Sequence, residues 1–125
     1  MEEPVTHLDI ELQTLKNDLN DMFGLVVKQL DKAKRALIDI DKDLAHEVRA
    51  NEKRVNGFEL KIDRDCEGII ALYKPVAVDL RLVLAALKIN MNLERIGDIA
   101  DGIAQFVVQI EQNQEKLEPS DELLK

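Results

Sequence analysis

Apolar residues in this chain return every three or four positions in three long runs, and that rhythm restricts what the chain can fold into. The first run is Leu8, Leu12, Leu15, Leu19, Met22, Val26, Leu30, Ala33 and Leu37. At about 3.6 residues per turn these lie on one face of a helix, with Lys, Asp, Gln and Asn on the other. Thr6 precedes the run and offers a hydroxyl N-cap. Gly24 is an interior cost of about 1 kcal/mol relative to Ala. The pattern breaks at Ile38-Asp39-Ile40-Asp41-Lys42-Asp43, where Asp39 or Asp41 suits the cap of a second helix. That helix repeats the rhythm through Leu44, Val48, Asn51, Val55, Phe58, Ile62, Cys66, Ile69 and Tyr73. It stops near Tyr73-Lys74-Pro75, because the residue before a proline disfavours the helical region. Pro75 then suits the first turn of a third helix.

The third run is apolar over most of its circumference. Leu80, Val83, Leu84, Leu87 and Met91 lie on one side. Leu82, Ala86, Ile89, Leu93, Ile96, Ala100, Ile103, Val107 and Ile110 lie on another. Such a helix is surrounded, and two partner helices cover only part of it. The expectation is an all-α fold, an antiparallel three-helix bundle that self-associates, because short connections force neighbouring helices antiparallel. The helices are expected over about 6–39, 42–74 and 76–112, in one domain spanning 1–125. A tail over 113–125 leaves the helix at Pro119, with Ser120 able to start another turn.

Composition narrows the function. Hydrophobic residues are 46% of the 125, charged residues 34% and aromatics 3%, with no Trp, which suits helices packed by Leu, Ile, Val and Ala. A net charge of −8 argues against nucleic acid, whose phosphates need a basic surface. It leaves cations or basic protein patches as complements. The lone Cys66 excludes an intrachain disulfide and fits a reducing compartment; its place on the apolar stripe makes it a small buried hydrophobe. The Met-Glu-Glu-Pro start has neither the basic residues nor the apolar run of a signal peptide. No apolar segment reaches the ~18 residues a membrane span needs, so the expected location is the cytoplasm. His46 belongs to a polar face. No Ser/His/Asp or Cys/His grouping and no Gly-rich phosphate loop is recoverable, so no enzyme is expected.

Acids interrupt the apolar third helix. Asn90, Glu94, Asp98, Asp101 and Gln105 recur three or four residues apart and form one narrow polar stripe. Like charges four apart cost a few tenths of a kcal/mol, so something should compensate Glu94 and Asp98. Arg95, Lys88 or a lysine of a neighbouring helix can do so. So can a hard cation or iron, to which carboxylate oxygens are suited. Helix two carries its own stripe of Glu52, Asn56, Glu59 and Asp63, with Gly57 between them opening room for close approach. Two oxygen-rich stripes on adjacent helices are how carboxylate-bridged metals are held in helical bundles. Neither stripe contains His, which disfavours a catalytic zinc or a di-iron centre of the Glu-x-x-His type. Asp79 favours the positive end of helix three, and Arg81 reads as a structural cation beside it.

Pro75-Val-Ala-Val-Asp-Leu-Arg-Leu-Val-Leu-Ala-Ala-Leu-Lys-Ile-Asn90, followed by Leu93-Glu-Arg-Ile-Gly-Asp98, resembles the signature of the PhoU family of phosphate-signalling regulators. Glu52-Lys-Arg-Val-Asn56 and Glu59-Leu-Lys-Ile-Asp63 resemble its second helix, and the likeness covers roughly residues 8 to 112. The resemblance implies a three-helix bundle whose acid-x-x-x-Asp pairs bind iron, zinc or magnesium. Glu94 and Asp98 match one such pair. The other falls on Glu52 and Asn56, where Asn replaces the Asp and brings no charge; Glu59 and Asp63 form a further pair of the right spacing, and Asp101 extends the stripe. The resemblance also implies a non-enzymatic, cytoplasmic adaptor that restrains the phosphate-starvation response. It would stand between the ATPase subunit of a phosphate ABC transporter and a sensor histidine kinase, touching membranes only through partners. Family members usually carry two such bundles. One bundle therefore implies an amino-terminal half or a one-repeat member, with a homodimer replacing the missing half. The rival expectations are an accessory domain of an ion or phosphate transporter, and a purely structural dimeric bundle.

Overall fold

The structure, a computed structural model, describes the backbone of residues 4–117 and the side chains of residues 4–110; Pro119 and Ser120 lie outside that range. Three helices follow one another: α1 (His7–Asp39), α2 (Lys42–Tyr73) and α3 (Ala77–Leu117), each packed on both others. The all-α three-helix bundle is as the spacing predicts. Its antiparallel register is visible across both turns. Lys32 pairs with Glu47 near the first turn and Asp18 with Lys61 farther from it. Along the second seam the partners run from Cys66 and Val83 to Arg49 and Asp101.

Helix boundaries follow local chemistry. Thr6 closes a capping box with Asp9, its hydroxyl accepting from the Asp9 N–H while the Asp9 carboxylate accepts from the Thr6 N–H. Asp41, rather than Asp39, caps α2 by accepting from the Leu44 N–H at 3.1 Å. Pro75 is not in the first turn of α3. It is buried in the linker, and the helical run starts at Ala77, itself left-handed at φ 50. The Val76 carbonyl receives the first α3 donor, the Asp79 N–H, at 3.2 Å. At its other end α3 runs on past Gln112 to Leu117.

The first turn holds a strained residue. Ile40 ends α1 in the left-handed region, φ 50 and ψ 50, with its N–H donating to the Ala36 carbonyl. A β-branched residue fits that region poorly, whereas glycine fits it freely. Ile40→Gly is expected to raise the free energy of unfolding by about 1 kcal/mol, read as a higher urea midpoint. An unchanged or lower midpoint would show that the Ile40 side chain contributes more than its strain costs.

The buried positions have a tighter period than the sequence pattern suggests. On α1 the core column is Leu12, Leu15, Met22, Val26, Gln29, Ala33 and Ala36. Leu30 and Leu37, expected in the core, are 40% and 37% exposed. On α3 the column is Val83, Ala86, Asn90, Leu93, Gly97, Ala100, Ala104 and Val107. Steps of three and four average about 3.5 residues, a repeat that favours a left-handed supercoil over straight helices. That period draws Gln29 and Asn90 inside. Gln29 donates to the Val48 carbonyl at 2.7 Å, and Asn90 to the Glu59 carbonyl at 3.0 Å. Cys66 is buried as expected, and burial pushes its thiol up to about 11. Tyr73, on the expected core stripe of α2, is 36% exposed; Ile89 and Ile96, in the apolar girth that two helices were expected to cover only in part, are 46% and 36% exposed.

The three seams of the bundle differ in chemistry. The α1–α2 seam is polar and basic, with Lys28, Lys32 and Arg54 around a recess of about 480 Å³. The α2–α3 seam is acidic. On α3, Asn90 and Gly97 face α2, so Ile89 and Ile96 fall on the opposite flank, beside α1. On α1, Asp18, Gln29 and Lys32 face α2, so Phe23, Val27 and Leu30 fall beside α3. The α1–α3 flank therefore exposes apolar side chains, among them Phe23, Val27, Ile89 and Ile96.

Candidate metal centre

Along the α2–α3 seam the two backbones approach where α3 carries Gly97. A methyl group at that position would stand 2.9 Å from Val55 Cγ1 and 3.7 Å from Glu52 Oε2. The first distance is inside van der Waals contact, so only glycine lets α2 lie this close. Gly57, which the sequence suggested for this role, has open space around it. The approach carries Glu52 across to the acids of α3. Carboxylate oxygens of Glu52, Glu94 and Asp98 lie within 4.8 Å of one another.

These carboxylates are uncompensated. Among the described residues no salt bridge involves any of the three; Arg49 pairs instead with Asp101 at 3.5 Å. Glu52 Oε2 is buried with no hydrogen-bond partner, and so is Asn90 Oδ1 on the same seam. Burial, hydrogen-bond reach to Asp98 and the charges of Asp101, Asp98 and Glu94 push the Glu52 carboxyl up to about 7. Glu94 is raised as well, by burial, by Asp98 and by the charge of Glu59, with Arg95 acting weakly the other way. The second stripe of α2 thus reaches the first electrostatically. Glu59 and Asp63 line a recess of about 300 Å³ with Lys88, Asn90 and Met91.

The sequence-derived residues divide accordingly. Glu52, Glu94 and Asp98 come together; Asp101 is drawn to Arg49; Glu59 and Asp63 sit farther along the seam. Asn56 is exposed one turn beyond Glu52 and adds no charge. Asn90, read from the sequence as the start of the polar stripe, belongs to the core column. Gly97 was not singled out, although it falls on the seven-residue repeat of Asn90, Leu93 and Ala100.

Three convergent anionic oxygens, one of them buried and unpaired, fit a hard divalent cation or iron. An all-oxygen donor set suits such ions, and bringing these charges together without one is costly.

The PhoU domain pattern matches residues 19–107. The phosphate-specific transport system accessory protein PhoU homolog of Pseudomonas aeruginosa is 42% identical over 100 residues, covering 80% of this chain and 41% of its own length. The Escherichia coli protein of that name, PhoU, is 41% identical over 99 residues, covering 79% of this chain and 41% of its own. The crystal structure of PhoU from P. aeruginosa superposes with a TM-score of 0.82 at 39% identity, over 86% of this chain and 51% of that one. This chain therefore spans about half the length of its relatives, or less. The matched segment contains all three clustered carboxylates and Gly97, and the chain belongs to the PhoU domain family.

Proposed function

We propose that this chain is a metal-binding regulator of phosphate uptake and of phosphate-starvation signalling, acting in the cytoplasm by binding partners and not by catalysis. The observation that carries the reading is the convergence of Glu52, Glu94 and Asp98 within 4.8 Å. Relatives named as accessory proteins of a phosphate-specific transport system support the pathway. Its partners on this reading are the ATPase subunit of a phosphate ABC transporter, a sensor histidine kinase, and a second copy of the chain. No described helix is long and apolar enough to cross a membrane; on this reading membrane contact runs through those partners.

A bound iron, zinc or magnesium ion would be held by Glu52, Glu94 and Asp98 and would supply positive charge that locks α2 to α3. The chain's own groups set the conditions. Gly97 fixes the approach of the helices, Glu52 must lose a proton held up to about 7, and Asp101 stays with Arg49. Proton and cation compete for Glu52, so affinity should rise as pH passes through neutrality.

Elemental analysis tests this directly. Wild-type protein incubated with Fe²⁺, Zn²⁺ or Mg²⁺ and desalted is expected to retain one of these metals. Glu94→Ala/Asp98→Ala, checked for helicity by circular dichroism, should lose affinity by more than ~100-fold, beyond what outer partners of a metal site contribute. Equal metal content in the two proteins, or none in either, excludes the metal reading and leaves a structural bundle with solvated acids.

A further inference from the structure

We propose that the recess between α1 and α2 binds a nucleoside polyphosphate, its phosphates at the basic end and its base against Phe58. The proposal goes beyond the reading above and is independent of the carboxylates on the α2–α3 seam.

The recess has two chemically different ends. Gln29 meets Val48 and Asp18 meets Lys61 across the antiparallel seam, so α1 residues of higher number face α2 residues of lower number. Asn20 and Asp21 therefore share one end with Phe58. Gly24 and Arg54 lie midway, and Lys28 and Lys32 share the other end with Asn51. From Asn20 to Lys32 the recess runs about 18 Å at 1.5 Å per residue, and it encloses about 480 Å³. Small-molecule sites commonly measure about 300–1,000 Å³. Inorganic phosphate would leave most of this length unfilled.

The basic end lacks its counter-charge. Lys32 is paired with Glu47 at 2.6 Å. Lys28 and Arg54 enter no salt bridge among the described residues. Asp21, the one acid of the lining, lies at the far end. Cations gathered without an acid between them repel, and this happens in a chain whose net charge is −8. An ammonium and a guanidinium are the side chains that hold phosphate oxygens, the guanidinium through a fork of donors. Asn51 adds an amide donor beside them.

The other end suits a base. Phe58 is half-buried and lines the recess, where an aromatic ring gives a base a stacking partner. Asp21 can accept from an exocyclic amine of that base, and the Asn20 amide can both donate and accept. Gly24 joins the two ends. A glycine inside a helix weakens it relative to alanine, and a Cβ here would meet nothing within 4 Å, so packing does not require one. A longer side chain at this position would stand in the recess between its ends. Glycine keeps the path from base to phosphates open.

Equilibrium dialysis of the 125-residue chain against labelled ATP tests the proposal, at low salt and with EDTA present so that no metal on the acidic seam contributes. Wild type is expected to bind ATP saturably, one per chain, and pyrophosphate about 10-fold more weakly for want of stacking. Arg54→Ala and Lys28→Ala should each weaken ATP binding on the order of 10-fold, the usual effect of losing a charged hydrogen bond. Lys34→Ala, which removes an exposed α1 cation outside the recess, should leave it unchanged. Phe58→Leu should weaken ATP and spare pyrophosphate, and Gly24→Leu should block ATP. Circular dichroism confirms that each variant remains helical. A wild type that binds no ATP overturns the site without touching metal retention. So does ATP binding that Lys34→Ala weakens as much as Arg54→Ala, since that is attraction without a site. Pyrophosphate bound as tightly as ATP overturns the place given to the base.

Discussion

Replacing Glu52 by Gln should stabilise the metal-free protein at pH 8 relative to wild type and abolish much of its stabilisation by metal. The carboxyl of Glu52 is held up to about 7 in the folded protein against an ordinary value of 4.5. A raised carboxyl pKa means that the folded state holds the proton more tightly than the unfolded state. Its favourable contribution is present in full below pH 4.5 and is lost as pH rises through about 7. Glutamine is neutral throughout and does not lose it. The difference in unfolding free energy between Glu52→Gln and wild type should therefore grow in favour of the variant from pH 5 to pH 8. It should reach on the order of 1 kcal/mol once solvent screening of this half-buried group is allowed for. Adding Zn²⁺ or Fe²⁺ at pH 8 should reverse the order, because a ligand that binds only the folded state stabilises it and the variant has lost one anionic oxygen. Urea midpoints at four pH values, with and without metal, would show this. Two proteins that track one another across the range would mean that Glu52 titrates as an ordinary surface acid.

The second large effect separates two glycines that the sequence does not distinguish. Gly97→Ala drives a methyl into Val55 Cγ1, which stands 2.9 Å from where it would lie. The expected cost is about 1–3 kcal/mol, the range for overpacking a close-packed interior. Because Glu52 reaches the acids of α3 across this same contact, metal retention should fall too. Gly57→Ala meets nothing within 4 Å and should stabilise by about 1 kcal/mol, the helix-propensity difference between the two residues. Urea unfolding of the two variants beside wild type reads both. A Gly97→Ala protein as stable as wild type would show that the helices can separate without loss, and the positioning role of Gly97 would fall.

These two predictions mark where legibility ended. The acids of α3 could be read as one stripe because helical spacing alone aligns Glu94 and Asp98. That Glu52 would face them, rather than pairing with Asn56 along its own helix, depends on the rotation of α2 about its axis, which no spacing within one helix specifies. The errors in the core share one cause. Leu30 and Leu37 were assigned inward because they are apolar and continue the helical spacing of α1. The buried residues of α1 repeat about every 3.5 positions where a straight helix turns every ~3.6, and over a helix of 33 residues that difference leaves Leu30 and Leu37 exposed and brings Gln29 and Ala36 in. Gln29 and Asn90 are tolerated there because each finds a backbone carbonyl on α2.

Sequence by itself determined the number of helices, their approximate limits, their antiparallel order and the acidic character of α3. Each of these follows from interactions within a few residues: periodic burial, capping by Thr6 and Asp41, and the interruption at Pro75. The tertiary structure decided which face of each helix turned inward and which glycine carried the close approach. It also decided which three carboxylates met, and left Ile89 and Ile96 of α3 exposed. Those depend on the relative rotation and spacing of whole helices, set by packing along the full length of the bundle.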